Sequence, residues 1–399
     1  MWELPTIQDL RAIPCLFMRG GTSRGAFFRD GDLPAELGER DAILLAAYGS
    51  PDMHQIDGIG GANAVTSKAA IVARSERDGI DVDYTFCQVG IDQASVSRGG
   101  NCGNMLAAVG PFALLAGLVT PRTCETPVRI YTTNTDQVVT AHVPMRGQAP
   151  AAQGDLTIQG VPGSGAPIHL AFEDCAGSMS NVLLPTGKER DLLTIDGKDI
   201  PISLMDAATP FVFVAAANVG ADGRELPAEL LANEAVMYRL EQIRGWAATV
   251  LGIVEEAGSA RRASPNIPRV MMVSYPRGYR ASSGLDVAAS EIDICVRQLA
   301  MQRPHRAISV TGSICCAAAA ALPGTVVHEC LKDDRSAPGP RQMRLGHPSG
   351  TTSVSAHIQD GTAERPMVTA AIDRTARLLM SGHVYVSPDR IRQLAELGR

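Results

Sequence analysis

Aromatic side chains are scarce in this 399-residue sequence: 2 Trp, 7 Tyr and 8 Phe make up 4% of it. Binding of single-stranded nucleic acid needs such rings as stacking platforms, and any phosphate backbone needs a basic excess. The net charge is instead −6, so no nucleic acid is expected as a partner. Cysteine occurs 9 times but never as a CxxC pair, and the number is odd. Neither a disulfide framework nor structural-zinc spacing is present, and the thiols read as reduced, placing the protein in the cytoplasm. Long hydrophobic runs are missing too. The longest, Met105–Val119, carries Gly110, Pro111 and Gly117 and falls short of the ~18 residues of a spanning helix. The start "MWELPTIQDL" has an early glutamate and proline and no apolar centre, unlike a secretory leader. No membrane is expected as a partner. A Walker loop is absent, and "GIGGAN" lacks the spacing of a dinucleotide fingerprint. The pattern therefore calls for no cofactor and no metal.

The chain is long enough for two domains, each with its own core. In the first half, "IPCLFMRGG", "GAFFR", "DVDYTFCQVGI", "VRIYTTNT", "QVVTAHVPM" and "PIHLAFED" alternate or cluster β-branched residues between turn formers, and "NTDQ" reads as a hairpin loop. Among them lies one helix, roughly Cys102–Leu118, apolar on every face. Such a helix must be enclosed, and strands wrapped around it are the natural solution. The second half repeats the plan with "FVFVAAANV", "PRVMMVSYP", "SEIDICVRQL", "TTSVSAHIQ", "MVTAAID" and "GHVYVS" around a second apolar helix, Thr311–Leu322, which stops at Pro323-Gly324. The expected fold is α+β: two pseudo-symmetric domains, each a curled mixed sheet around a central apolar helix. Their bounds are 1–188, completed by 378–399, and 189–377. Between the helices, Leu230, Met237, Leu240 and Val250 recur at helical spacing, predicting an amphipathic surface helix pair broken near Gly245. "ARRASPN" and "LKDDRSAPGPRQ" read as exposed loops.

Chemistry points to a few turns. "GGNCGN" (Gly99–Asn104) sets Cys102 where loop becomes helix, and unpaired N–H groups there favour anions and thiolates. Asn101 also suits a helix cap, with Cys102 as small filler. "MRGGTSRG" (Met18–Gly25) offers backbone donors, two hydroxyls and Arg19; "DGIGGANAVTSKAA" ends in Ser67-Lys68; "RLGHPSGTTS" sets His347 and Ser349 in a Pro-Gly turn. Many anion donors without a metal or nucleotide loop suit a small polycarboxylate substrate, with Lys68 and Cys102 as its titratable neighbours.

Several of these stretches, together with "GSPDMHQIDGIGGANAVTSKAAIV", "GNCGNMLAAVGPFAL", "LPTGK" and "RTARLLMSGHVYV", resemble the PrpF-like isomerase family. That family includes 2-methylaconitate, 4-oxalomesaconate and 3-methylitaconate isomerases. The resemblance implies a diaminopimelate-epimerase-like fold and cofactor-independent proton transfer that shifts or re-forms a C=C bond, by transposition or cis-trans isomerisation, in a small unsaturated tricarboxylate. It implies Lys68 and Cys102 as catalytic residues. Substrate-binding turns fall on Gly20, Gly21, Thr22 and Ser23, on Gly103 and Asn104, on Thr311, Gly312 and Ser313, and on His347, Ser349 and Gly350. Arg19, Ser67 and Asn101 adjoin them. Arg24 stands where the family's first motif commonly has lysine, and a guanidinium can bind but not act as base. The two-thiol racemases of the wider fold carry a cysteine at each helix start, whereas "VTGSICC" places Cys315 and Cys316 a turn further in, as core residues. A racemase or epimerase of the same fold and a non-catalytic polycarboxylate-binding protein are the alternatives. A homodimer is the default assembly.

Overall fold

The structure is a computed structural model that describes residues 7–331, 341–362 and 365–397. Most of "LKDDRSAPGPRQ" and the start of "MWELPTIQDL" lie outside the described residues.

One 19-stranded sheet runs through the chain. From one edge its main strands are Ala376–Val386, Arg11–Gly20, Ser23–Arg29, Lys68–Arg74, Val82–Val89, Glu125–Thr132, Gln137–Arg146 and Ile168–Phe172. Ile168–Phe172 then pairs with Arg365–Arg374. That strand leads on to Gly350–Thr362, Arg341–His347, Ile294–Ala300, Arg269–Ser274, Thr209–Ala215, Lys198–Ala207 and Asp191–Ile195.

The connections repeat between the halves. Each starts with a hairpin, Arg11–Gly20 with Ser23–Arg29 and Lys198–Ala207 with Thr209–Ala215. An outer helix, Leu37–Tyr48 or Glu234–Val250, then crosses to a parallel strand, Lys68–Arg74 or Arg269–Ser274. An antiparallel strand follows, and the central helix crosses to the next parallel strand. The expected α+β architecture of curled sheets around central helices is thus present. Parallel strands need such long crossovers, which is why each half holds one helix inside and one outside.

Both central helices are buried. One continuous core joins Met105–Leu114 to Ile314–Ala320 and to the inward faces of both halves of the sheet, with the Phe112 ring tilted against Phe27 at 5.6 Å between centroids. The outward face of the first sheet packs on Leu37–Tyr48 and on Pro388–Leu397 through Ile391 and Leu394; that of the second packs on Glu234–Val250.

Three expectations need correction. The first central helix is not continuous over Cys102–Leu118: it is Gly103–Leu106 followed by Val109–Leu115. Pro111 explains the break, because its ring opposes the carbonyl four residues back, at Ala107. The Ala108 N–H accordingly reaches only Met105 O, at 2.9 Å. The outer helix pair breaks at Asn233, whose side chain caps Glu234–Val250, and runs unbroken through Gly245. Glycine at 245 serves close approach instead, since a Cβ there would lie 2.6 Å from Ala257 O. "ARRASPN" is not an exposed loop throughout: Ala260–Ala263 is helical, and Ala260 and Asn266 are buried. Lys68–Arg74 is a strand that the alternation pattern did not separate from its glycine-rich approach.

Candidate active site

Lys68 is the first residue of Lys68–Arg74, and its backbone is held from two sides. It pairs with Gly25 in parallel register, where a Cβ would lie 1.6 Å from Lys68 O. Tyr48 Oη donates to the same carbonyl and accepts from Ala26 N at 2.8 Å. Glycine at 25 is therefore required by the close approach of two strands. The Lys68 amine donates to Gln88 Oε1 at 2.8 Å and lies 4.9 Å from the centroid of the Phe86 ring.

Cys102 precedes the short helix Gly103–Leu106 at its N-cap, and its side chain caps nothing. Its N–H donates to Asn101 Oδ1 at 2.7 Å, leaving Asn101 Nδ2 buried without a partner. The loop that carries it is fixed at both ends. Asn134, from the hairpin "NTDQ", donates to Arg98 O at 2.7 Å and Phe86 O at 3.0 Å, and accepts from Phe86 N at 2.8 Å. On the other side the loop meets the second half. Asn266 donates to Gly99 O at 3.3 Å, and Gly100, at φ +77°, faces Ile267, where a Cβ would be 2.5 Å from Ile267 Cδ1. A Cβ on Gly103 would lie 2.4 Å from Val310 Cβ, so the two central helices meet start to start.

Lys68, Cys102 and Arg269 converge at this junction. Burial lowers the Lys68 pKa; Cys102, within hydrogen-bonding reach, opposes that shift, and Arg269 adds to it. Arg269 is buried and its pKa too is lowered, first by burial. A guanidinium stays charged nonetheless. Its partners are neutral and distant: Asn266 Oδ1 at 3.2 Å, Asn266 O at 3.3 Å, Ser309 Oγ at 3.4 Å and Thr311 Oγ1 at 3.5 Å. Among the described residues no carboxylate pairs with it, and a buried cation without a counter-charge is costly. His305 stands near both cations. Burial pushes its pKa down to about 4, with Arg269 and Lys68 contributing, so it is neutral. Ala307 N donates to its Nδ1, which leaves the proton on Nε2.

The other residues singled out by sequence divide. Gly20, Gly21 and Thr22 pack on Asn104: Thr22 N donates to Asn104 Oδ1 at 3.3 Å, and Thr22 Oγ1 is buried and unpartnered. Arg19 is tied into this turn through Gly21 O at 2.9 Å and Thr375 O at 3.0 Å. Ser23 is buried behind it. Arg24 is exposed, over the Phe17 ring. Ser67 points away from the junction and donates to Gln55 Oε1 at 2.7 Å. Thr311 reaches Arg269, Gly312 N donates to the capping Ser309 Oγ at 3.0 Å, and Ser313 Oγ turns back to Ser309 O at 3.0 Å.

His347 is committed to its own turn. Its Nδ1 accepts from Ser349 N at 3.2 Å and its Nε2 meets Thr352 Oγ1 at 3.0 Å, while burial, reinforced by Arg297 and Arg374, pushes its pKa down to about 3. Ser349 donates to Arg306 O, and Gly350 backs on Gln159. This turn faces Thr22 across Gly160, whose added Cβ would sit 3.6 Å from Ser349 and 3.7 Å from Thr22.

Of the nine thiols only Cys102 and Cys124 keep exposure. Cys315 and Cys316 are buried, with Cys315 donating to Met205 O, and burial raises the pKa of both. Lys68 and Cys102 both retain partial exposure, so solvent reaches the junction. Two cavities of about 360 and 370 Å³ lie elsewhere, around Arg74 and Leu118 beyond the far end of the first central helix. Gln88, Asn266, Arg269 and His305 were not singled out by sequence. Only "NIPR" carried a signal, a proline-fixed turn just before a strand.

The chain matches known proteins over nearly its whole length. The family described as PrpF protein matches residues 10–387. It is 38% identical to a 3-methylitaconate isomerase of Eubacterium barkeri, over 96% of this chain and 100% of that one. It is 41% identical to a (4E)-oxalomesaconate Delta-isomerase of Novosphingobium sp., over 95% and 99%. The solved structure of a methylitaconate-delta-isomerase superposes with a TM-score of 0.80 at 37% identity, covering 96% of this chain and 98% of the other. Among the described residues no helix is long and apolar enough to cross a membrane. Alike in fold, in length and in sequence to these enzymes, the chain belongs to the PrpF family and is an isomerase.

Proposed function

We propose that this isomerase moves a C=C bond in a small unsaturated tricarboxylate by allylic proton transfer, using Lys68 as the base and Cys102 as the partner acid. Neutral Lys68 removes a proton from the carbon next to the double bond, becoming the ammonium. The electron pair spreads as a dienolate onto a neighbouring carboxylate or keto oxygen. Cys102 or the ammonium then returns a proton at the other end of the allyl system, and the double bond lies one position over.

The observation that carries this reading is the Lys68 amine beside Cys102, facing a buried arginine with only neutral partners. Arg269 supplies the charge that a carboxylate would neutralise, and its fixed position favours the dienolate without reorganisation. Thr22 Oγ1 and Asn101 Nδ2, buried and unpartnered, are further donors for substrate oxygens. The substrates in the relatives' names, 3-methylitaconate and oxalomesaconate, are both unsaturated polycarboxylates. A racemase needs a second acid opposite the first, and the buried Cys315 and Cys316 are poor candidates.

The same reading takes 1–188 with 378–399 and 189–377 as the two domains. The packing of Ile391 and Leu394 into the first half's outer core supports that assignment. It places the enzyme in the cytoplasm, in keeping with nine free cysteines, as a homodimer, which light scattering after gel filtration checks.

The test is incubation with methylaconitate, oxalomesaconate, aconitate and methylitaconate in D₂O, followed by NMR. Deuterium is expected in the allylic positions of one alkene acid together with its isomer. Exchange only at an sp³ stereocentre would make the protein an epimerase, and exchange in none of them would leave a binding protein.

A further inference from the structure

We infer that Gln88 is a positioning residue for the base, a neutral acceptor that holds the Lys68 amine in place without pairing it with a charge. The inference rests on the reading of Lys68 as proton carrier. Gln88 is buried in Val82–Val89, directly across from Lys68 in antiparallel register. Its Oε1 accepts from the amine at 2.8 Å, while Nε2 donates to Ser67 O at 2.9 Å and Ala64 O at 3.2 Å. Those two carbonyls fix which end of the amide faces the lysine. Turned over, the NH₂ would meet the amine and the oxygen would meet two carbonyls. The approach to Lys68 and the strand opposite it thus lock one oxygen onto the amine.

Glutamate has the same length, and opposite charges across a strand pair are favourable in general, so the neutral amide at this place is informative. The other groups at the amine are Cys102 from the loop, Arg269 and neutral His305 from the second half, and the Phe86 ring below. Arg269 opposes the ammonium, while Cys102 and the face of the Phe86 ring favour it. Among the described residues no carboxylate comes within ion-pair distance. A carboxylate at 88 would favour the ammonium and take the base out of use near neutrality. An apolar isostere would remove the acceptor and free the amine to wander.

Gln88→Glu and Gln88→Met test this in opposite directions. The readout independent of turnover is competitive acetylation of Lys68 with acetic anhydride across pH, quantified on the Lys68 peptide by mass spectrometry. Gln88→Glu is expected to move the titration midpoint up by about one unit or more, with the acid limb of kcat/KM moving by the same amount and about tenfold lost per unit below it. Gln88→Met is expected to move the midpoint down and to lower kcat more than it changes KM. Unchanged midpoints in both folded variants would overturn the role of Gln88. A midpoint that moves in Gln88→Glu while the kcat/KM profile stays fixed would support Gln88's hold on the amine and overturn Lys68 as the base.

Discussion

Lys68 and Arg269 open equivalent strands. Each is the first residue of the parallel strand that follows its half's outer helix, and each pairs with the third residue of the preceding strand, Gly25 or Phe211. The pseudo-symmetry therefore delivers one basic side chain from each half to the same junction. They differ in what a proton can do to them. An amine removed from water can be neutral and accept a proton; a guanidinium remains charged. The helix starts diverge in parallel. The first half presents Cys102 with nothing capped, while the second presents Ser309, capping Gly312 N at 3.0 Å, and Thr311, both facing Arg269. On the proposed reading, one half carries proton chemistry and the other carries fixed charge.

The sharpest way to break this division is to make the cations alike. Lys68→Arg makes the charge permanent and removes the titratable amine, so turnover is expected to fall by at least about 10³-fold, with circular dichroism unchanged. In the parent, kcat/KM should rise with pH, because the base works only when neutral. Burial lowers the Lys68 pKa, so the rise should come below the ~10.4 of a solvated lysine. The variant's residual rate should lack that limb. Substantial activity in Lys68→Arg would mean that the base lies elsewhere.

The converse change tests the second half. Arg269→Met removes a buried cation that has no carboxylate partner, so relief of the desolvated charge offsets the lost hydrogen bonds to Asn266, Ser309 and Thr311, and little net change in stability is expected. Its cost should fall on binding, with KM rising about 30- to 100-fold, the scale of losing one partner of a desolvated charge pair. A smaller fall in kcat is expected from weaker dienolate stabilisation. Steady-state kinetics on the substrate found by deuterium exchange reads both. An unchanged KM would place the substrate carboxylates away from Arg269.

The legible part of this molecule was the part governed by periodicity and by single residues with strong local effects. The two all-apolar helices announced their own burial, and the strands around them followed from alternation. Pro111 was visible in the sequence, but its consequence, an interruption at Ala107, needs the rule about the carbonyl four residues back. Lys68 and Cys102 stood out because a lysine and a cysteine in glycine-rich turns are chemically conspicuous. Gln88 did not, since a glutamine in a strand looks like any half-polar position until the strand across from it is known. Arg269 and Asn266 are 201 and 164 residues from Lys68 and Cys102 in sequence, and only the pairing of strands shows that they meet. His347 shows the reverse case. It looked available in "GHPSG", yet both ring nitrogens serve the turn that holds it.

The smallest expected effect concerns the thiols that the second half keeps inside. Cys315 sits one turn past the helix start, buried, donating to Met205 O, and burial raises its pKa. A thiol held this way is a weak acid with no route to substrate, and it contributes packing alone. Cys315→Ala should cost about 1–2 kcal/mol of stability, visible as a lower Tm, while kcat/KM stays within about twofold of the parent, far below any catalytic contribution. Cys102→Ser should do the opposite, leaving Tm nearly unchanged and costing about 10²-fold or more in kcat. Comparable kinetic losses in the two variants would mean that the second helix start bends to deliver a sulfur after all. The two halves would then act as a matched acid pair, and the enzyme would be closer to the two-thiol racemases than its buried cysteines suggest.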